Sequence, residues 1–196
     1  MGFAFYSVLA GMTLMKMPTF GILLMPTLAL ELFAALSFLI REPARASERT
    51  GRARATAYGG TLFVLVFLLV ANNYFPNWVS PTRSATGLMA GVILWMAGSL
   101  WAAYSVWYLR HAFSIEPEAR RLVTGGPYET ARHPVYLGYF GQYSGMWLLF
   151  PTMQFAAALL IWFLLMADRM RNEERILSRT FPEYEQYRRR VAALGF

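Results

Sequence analysis

Arg120-Arg-Leu-Val-Thr-Gly-Gly-Pro-Tyr-Glu-Thr-Ala-Arg-His-Pro-Val-Tyr-Leu-Gly138 is an arginine-rich loop that leads directly into an apolar segment. Pro134 pushes His133 out of the α region and suits the first position of a helix, where its missing N–H is no loss. The spacing predicts a helix that opens at Pro134, runs through 135–150 and stops at Pro151. A helix start carries unpaired N–H groups and partial positive charge, so a ligand carboxylate or hydroxyl can be held beside His133. Gly138, Gly141 and Gly145 leave one face of this helix bare. Close packing between helices through small residues is the ordinary reason for such a stripe in membranes.

Outward from this stretch, 57% of the 196 residues are hydrophobic, above the roughly 45–50% of soluble domains. Segments at about 19–40, 58–76, 86–109 and 152–168 reach or approach the roughly 20 residues needed to cross a bilayer. With the shorter 135–150 segment, which forms a tight hairpin with the last, they predict about five spans. The fold class expected is therefore an all-α integral membrane protein. Residues 1–15 are apolar but stop at Lys16, too short to span. They read as an interfacial or half-inserted helix of the mature protein, because no basic region precedes the apolar run as in a signal peptide.

The net charge of +7 lies between the apolar runs and not on a soluble surface, which argues against nucleic acid as a partner. Arg41, Arg45, Arg49, Arg52 and Arg54 fill the first loop, Arg110, Arg120, Arg121 and Arg132 the third, and further arginines follow the last span. The second loop holds only Arg83. This asymmetry predicts an external N-terminus and a cytoplasmic C-terminus. The loop 110–134 and the C-terminal segment then form a cap over the cytoplasmic mouth of the bundle. Without cysteine, disulfides and thiolate chemistry are excluded, and no metal-ligand pattern is present. The chain reads as one membrane domain over 1–196.

Two further features carry chemistry. Arg169 and Glu173 stand four residues apart on one helical face, with Glu174 beside them. On an isolated helix that is a surface ion pair, but the hairpin brings these residues to the same mouth as His133. Glu31 sits inside the first span, where an ionisable group is costly and should face protein, water or a substrate path. Beyond the spans, Phe181, Tyr184, Tyr187 and Val191 recur at helical spacing, opposite Arg188, Arg189 and Arg190. That helix either lies on an anionic membrane surface or packs its aromatic stripe on the domain.

Taken together, Leu109-Arg-His-Ala-Phe-Ser-Ile115, Leu122-Val-Thr-Gly-Gly-Pro-Tyr128, Arg132-His-Pro-Val-Tyr-Leu-Gly138, Arg169 with Glu173-Glu174-Arg175, and Phe181-Pro-Glu-Tyr-Glu-Gln-Tyr187 resemble the isoprenylcysteine carboxyl methyltransferase family, related to the phospholipid N-methyltransferases. The resemblance covers about residues 95–191, and it implies that 86–196 form a cofactor-binding region while 1–85 are variable helices on the acceptor side. It departs at Phe181-Pro182, where Phe-Gly is common, and at Thr124-Gly125-Gly126, where Thr-Thr-Gly is usual. It implies S-adenosylmethionine as cofactor, bound by Gly126, Pro127, Tyr128, His133, Pro134, Tyr136, Leu137, Gly138, Glu173 and Glu174. Glu173 or Glu174 would take the ammonium or ribose, His133 and the following amides the carboxylate, and Tyr128 or Tyr136 the ring or sulfonium.

The same resemblance implies a lipophilic or lipid acceptor, with carboxyl O-methylation first. An ionised carboxylate needs only an orienting cation, for which Arg169 and then Arg132 are the catalytic candidates, together with Glu173. An amine or thiol acceptor must lose a proton, which gives His133 or a glutamate the part of base. A reading from another class is an NADPH-dependent reductase resembling the sterol C14-reductases, whose additional spans this chain lacks. The compact, arginine-heavy form points to a prokaryotic inner membrane.

Overall fold

Helices form where the apolar runs lie, and their ends fall where the capping residues put them. The computed structural model describes residues 3–4, 6–11, 25–48, 50–74, 82 and 84–195. After a helical stretch at 6–11, the elements are α1 (Met25–Ile40), β1 (Ala46–Ser47), α2 (Gly51–Tyr74), α3 (Ala85–Leu109) and β2 (Glu118–Ala119). A 3-10 turn (Gly126–Glu129), α4 (Pro134–Leu149), α5 (Met153–Thr180) and α6 (Tyr184–Arg190) follow. Ser84 caps α3 by accepting from the Gly87 N–H, and Thr152 caps α5 by accepting from the Phe155 N–H, each satisfying an orphan donor of a first turn. Helix α4 starts at Pro134, with His133 as its non-helical cap.

Among the described residues two helices, α3 and α5, are long and apolar enough to cross a membrane, and α1 is a shorter apolar helix. Their outer faces expose Met89, Ile93, Leu160 and Leu164, as a lipid-facing surface does. The expected five spans are thus met in part, by these two helices among the described residues. Helix α4, with 16 residues, reaches about 24 Å at 1.5 Å per residue, short of a hydrocarbon core of about 30 Å. Helix α2 opens on Gly-Arg-Ala-Arg, which dilutes its hydropathy. Residues 19–24 of the first expected span, and most of the second loop with Arg83, lie outside the described residues.

Helices α3 and α4 pack most closely, through the glycine stripe. A Cβ on Gly138 would stand 2.6 Å from the Ala102 backbone nitrogen, one on Gly98 would meet the Gln142 backbone, and one on Gly145 would meet Trp95. The stripe is a helix contact surface. Helix α5 rests chiefly on α2, so the two arms of the α4–α5 hairpin, joined by residues 150–152, are splayed apart along most of their length. Between them lies the principal cavity.

At the polar end the loops knit together. Contrary to a purely helical expectation, β1 and β2 form a two-residue antiparallel ladder pairing Ala46 with Ala119 and Ser47 with Glu118. Buried loop backbone must find partners, and further bonds from Glu42 N–H to His111 O and Glu48 N–H to Pro117 O serve the same end. Arg120, itself buried, donates to the Glu42 carbonyl and to Glu118. The first and third arginine-rich loops thus share one face of the molecule. The aromatic stripe of the last helix packs inward: Phe181, Tyr184 and Tyr187 join Ala119 and Ile176 in a small core, leaving Arg188, Arg189 and Arg190 exposed. The N-terminal stretch is less peripheral than its sequence indicates, since Tyr6 and Ala10 are buried and the Tyr6 ring packs against Phe38 and Phe113. Residues 12–15 lie outside the described residues.

Candidate functional site

The polar mouth of the splayed hairpin is closed by side chains, not by backbone contact. Tyr136, in the first turn of α4, donates its hydroxyl to Glu173 Oε1 on α5 at 2.5 Å. His133 lies between two carboxylates, with Nε2 3.0 Å from Glu174 Oε1 and Nδ1 3.8 Å from Glu173 Oε2. Arg132 donates through Nε to Glu174 Oε1 at 2.9 Å. The sequence-predicted residues of the loop and of α5 are thereby brought together.

Each carboxylate has its own cation. Glu173 receives Arg169 Nε at 3.0 Å. Arg169 is buried, and it also donates to Thr61 Oγ1 at 3.0 Å, the Ser114 carbonyl at 3.3 Å and the Ala57 carbonyl at 3.5 Å. It therefore stitches α5 to α2 and to the loop after α3. A buried guanidinium is tolerable when its charge is matched and its N–H groups are used. Glu174 stands on the polar extension of α5, past the apolar stretch that ends at Ala167. Burial alone would raise its carboxyl, but hydrogen bonds and charge from His133 and Arg132 outweigh this and hold it at about 2.

Arg132 is also a brace. Its Nη1 donates to the carbonyls of Arg188 and Val191, and the backbone N–H groups of Arg132 and His133 donate to the carbonyls of Ala192 and Ala193. Tyr187 donates its hydroxyl to the Tyr128 carbonyl at 2.7 Å. Burial raises the Tyr128 phenol well above its ordinary value, with Glu173 and then Tyr187 adding to the effect, so it is a neutral donor at physiological pH. Gly126 adopts φ +62° with the Tyr108 ring where a Cβ would stand, a conformation and a closeness that only glycine allows.

These residues wall two cavities. The larger, of about 150 Å³, lies between the hairpin arms and is lined by Tyr128, Arg132, His133, Tyr136, Arg169 and Glu173, and on the other side by Tyr6, Thr27, Glu31 and Gly60. The smaller, of about 90 Å³, is lined by Leu122, Ile176, Leu177, Tyr184 and Tyr187. Tyr128, Arg132 and Glu173 border both. Of the other residues expected at a cofactor, Pro127 and Pro134 are fully buried supports, Gly126 meets Tyr108, Gly138 meets Ala102, and Leu137 and Glu174 line neither cavity. Sequence reasoning gave no site role to Thr61 or Ser114, whose spacing from Arg169 hides the contact, or to Tyr184, whose buried hydroxyl has no hydrogen-bond partner among the described residues. Glu31 was visible by its position in an apolar run. Among the described residues, no group of three or more histidines or acidic residues is placed to hold a metal ion.

The nickel-cobalt-cadmium resistance protein NccN of Alcaligenes xylosoxydans xylosoxydans is 34% identical over 132 residues, 66% of this chain and 58% of that protein. The cobalt-zinc-cadmium resistance protein CzcN of Cupriavidus metallidurans is 33% identical over 133 residues, 67% of this chain and 57% of that protein. The chain thus covers less than three-fifths of the length of either relative. The sequence pattern of the phospholipid methyltransferase family matches residues 84–184, which hold α3, the capping loop, α4, α5 and the start of α6. On that match, the chain belongs to the phospholipid methyltransferase family.

Proposed function

We propose that this protein is an S-adenosylmethionine-dependent methyltransferase that modifies a lipophilic acceptor in the membrane. The observation that carries the reading is the convergence of Tyr128, His133 and Tyr136 with Glu173 on one cavity, inside the region that matches the family. The residues fit the cofactor's groups. Glu173 and Glu174 are acceptors for an ammonium or for hydroxyls, the first turn of α4 offers amide N–H groups to a carboxylate, and Tyr128 and Tyr136 offer ring faces to a sulfonium. The Tyr184 hydroxyl, without a hydrogen-bond partner among the described residues, lines the smaller aromatic cavity and is our candidate partner for the heterocycle. Bound there, S-adenosylmethionine supplies a methyl group already activated for displacement by its sulfonium.

The chain's own task is then alignment and exclusion of water. The Tyr136–Glu173 and His133–Glu174 bonds close the mouth, and α1, α2 and the N-terminal stretch supply the acceptor side of the cavity through Glu31, Thr27, Gly60 and Tyr6. Two acceptor chemistries remain in view. Carboxyl O-methylation, the expectation from the resemblance, needs a cation beside the acceptor. Arg169 lines the cavity, yet nearly all its N–H groups are already committed. N-methylation needs hydrogen-bond acceptors around an amine, and the inner end of the cavity carries them. The active face is read as cytoplasmic in a prokaryotic inner membrane, because the arginine-rich loops gather there.

Calorimetry of the detergent-purified protein with S-adenosylhomocysteine and with NADPH tests the reading. Micromolar binding of S-adenosylhomocysteine, lost in Glu173→Gln, is expected. Binding of NADPH instead would overturn it.

A further inference from the structure

The outward face of α5 carries one stripe that runs unbroken past the end of its apolar stretch. Met153, Leu160 and Leu164 are exposed on it, and Asp168 and the exposed Arg171 and Arg175 continue the same line. At 3.6 residues per turn, residues 153, 160, 164, 168, 171 and 175 fall within about 80° of the helix circumference. Trp162, Met166, Arg169 and Glu173, which line the larger cavity, fall on the opposite side. The stripe is therefore separate from the cofactor and acceptor sites.

Arg171 and Arg175 stand four and eight residues beyond Ala167, about 6 and 12 Å along the axis at 1.5 Å per residue. The interfacial layer outside a hydrocarbon core is about 5–8 Å deep on each side. Arg171 is thus at headgroup depth, and Arg175 can bend its long side chain back to that level. Positive charge is in excess there. Asp168 is taken by Arg52 of α2 at 2.7 Å, and neither Arg171 nor Arg175 has an ion-pair partner among the described residues. Asn172 accepts from Arg175 at 3.0 Å and donates to Asp168 at 3.3 Å, which fixes the Arg175 guanidinium beside the stripe. Like charges four residues apart on a helix repel, and an anion shared between them turns that repulsion into attraction.

We propose that Arg171 and Arg175 clasp the phosphodiester of an anionic phospholipid whose acyl chains lie along Leu160 and Leu164, a lipid-binding site on the outer face of α5. A phosphodiester offers two charged oxygens to two guanidiniums. The lipid is an anionic one because the stripe keeps no free carboxylate for a headgroup ammonium, Asp168 being held by Arg52. Free phosphate would leave the apolar half of the stripe unused. The lipid is held and not altered, so the site stands independently of the methyl-transfer reading.

Native mass spectrometry of the detergent-purified protein, given equimolar phosphatidylglycerol and phosphatidylcholine with identical acyl chains, tests the site. Phosphatidylglycerol is expected to be preferred by about thirtyfold, the scale for two arginines at an anionic lipid surface. The double variant Arg171→Gln with Arg175→Gln should bring the ratio to within about threefold of unity. Arg189→Gln with Arg190→Gln removes the same charge from α6, away from the stripe, and should keep most of the preference. Equal binding of the two lipids by wild type overturns the proposal. So does an equal loss of preference in the two double variants, which would make net charge the whole effect. Inorganic phosphate at the same concentration should not displace the bound lipid, and displacement would make this a soluble-anion site and overturn the lipid assignment. Should a variant fail to fold, the ranking on wild type and the phosphate competition still decide.

Discussion

Tyr136 donates its hydroxyl to Glu173 across the gap between the splayed helices α4 and α5, and the same carboxylate receives Arg169 from its own helix. One side chain thus aligns the carboxylate while the other neutralises it.

Removing only the hydroxyl, in Tyr136→Phe, should lower S-adenosylhomocysteine affinity by about tenfold to a hundredfold, the range for a hydrogen bond to a charged group. The melting temperature should change little, because the ring still packs. Calorimetry on the folded variant checks this, and an unchanged dissociation constant would show that Glu173 needs no second anchor.

Glu174 sets an acid limit. Its folded value of about 2 is below the ordinary 4.5, so its contribution to stability is fully present above about 4.5 and is lost as pH falls toward 2. Because the group is half-buried, solvent screening keeps the effect modest. Glu174→Gln should melt at a lower temperature than wild type at pH 6, and the difference should shrink between pH 4.5 and 2.5. A gap that stays constant over that range would mean the ion pairs with Arg132 and His133 contribute nothing.

The glycines divide into two kinds that can be told apart by a single methyl group. Gly138→Ala would press against Ala102 and is expected to destabilise by about 1–3 kcal/mol, the cost of overpacking. Gly59→Ala meets nothing within 4 Å and lies inside α2, so it should stabilise by about 0.5–1 kcal/mol. Thermal melts of both variants in one detergent give the comparison.

Membrane orientation is testable because the chain has no cysteine. A single cysteine at Ser178, near the polar end of α5, should be shielded from an impermeant maleimide in intact cells. One at Ser84, before α3, should be labelled. The reverse pattern would invert the orientation read from the arginines.

Tyr187→Phe leaves the buried Tyr128 carbonyl without its donor. The expected cost is about 1–3 kcal/mol in stability, the penalty for an orphaned buried group, with a parallel loss of S-adenosylhomocysteine affinity. Loss of stability alone would make the last helix a scaffold with no bearing on the cofactor loop.

The sequence was most legible where chemistry is local. Pro134 announced the start of α4, the tight turn at Pro151 announced the hairpin, and the four-residue spacing of Arg169 and Glu173 announced their pairing. What could not be read depends on distant segments. Nothing near Arg169 in the chain reveals that Thr61, 108 positions away, accepts from it. The tight turn predicts an antiparallel pair but not how its arms pack: α4 prefers α3, whose Gly98 and Ala102 match its glycines, and so the arms separate and a cavity opens.

Every partner named for the side chains and backbone donors of Arg132 and His133 comes later in the chain: Glu173, Glu174, Arg188, Val191, Ala192 and Ala193. During synthesis Arg132 and His133 therefore emerge with none of these partners in place. At about 5–20 residues per second, the sixty residues up to Ala192 take roughly 3–12 seconds to make. Over that interval α5 must be threaded and folded back before the loop can lock, so competence to bind is among the last properties the growing polypeptide acquires.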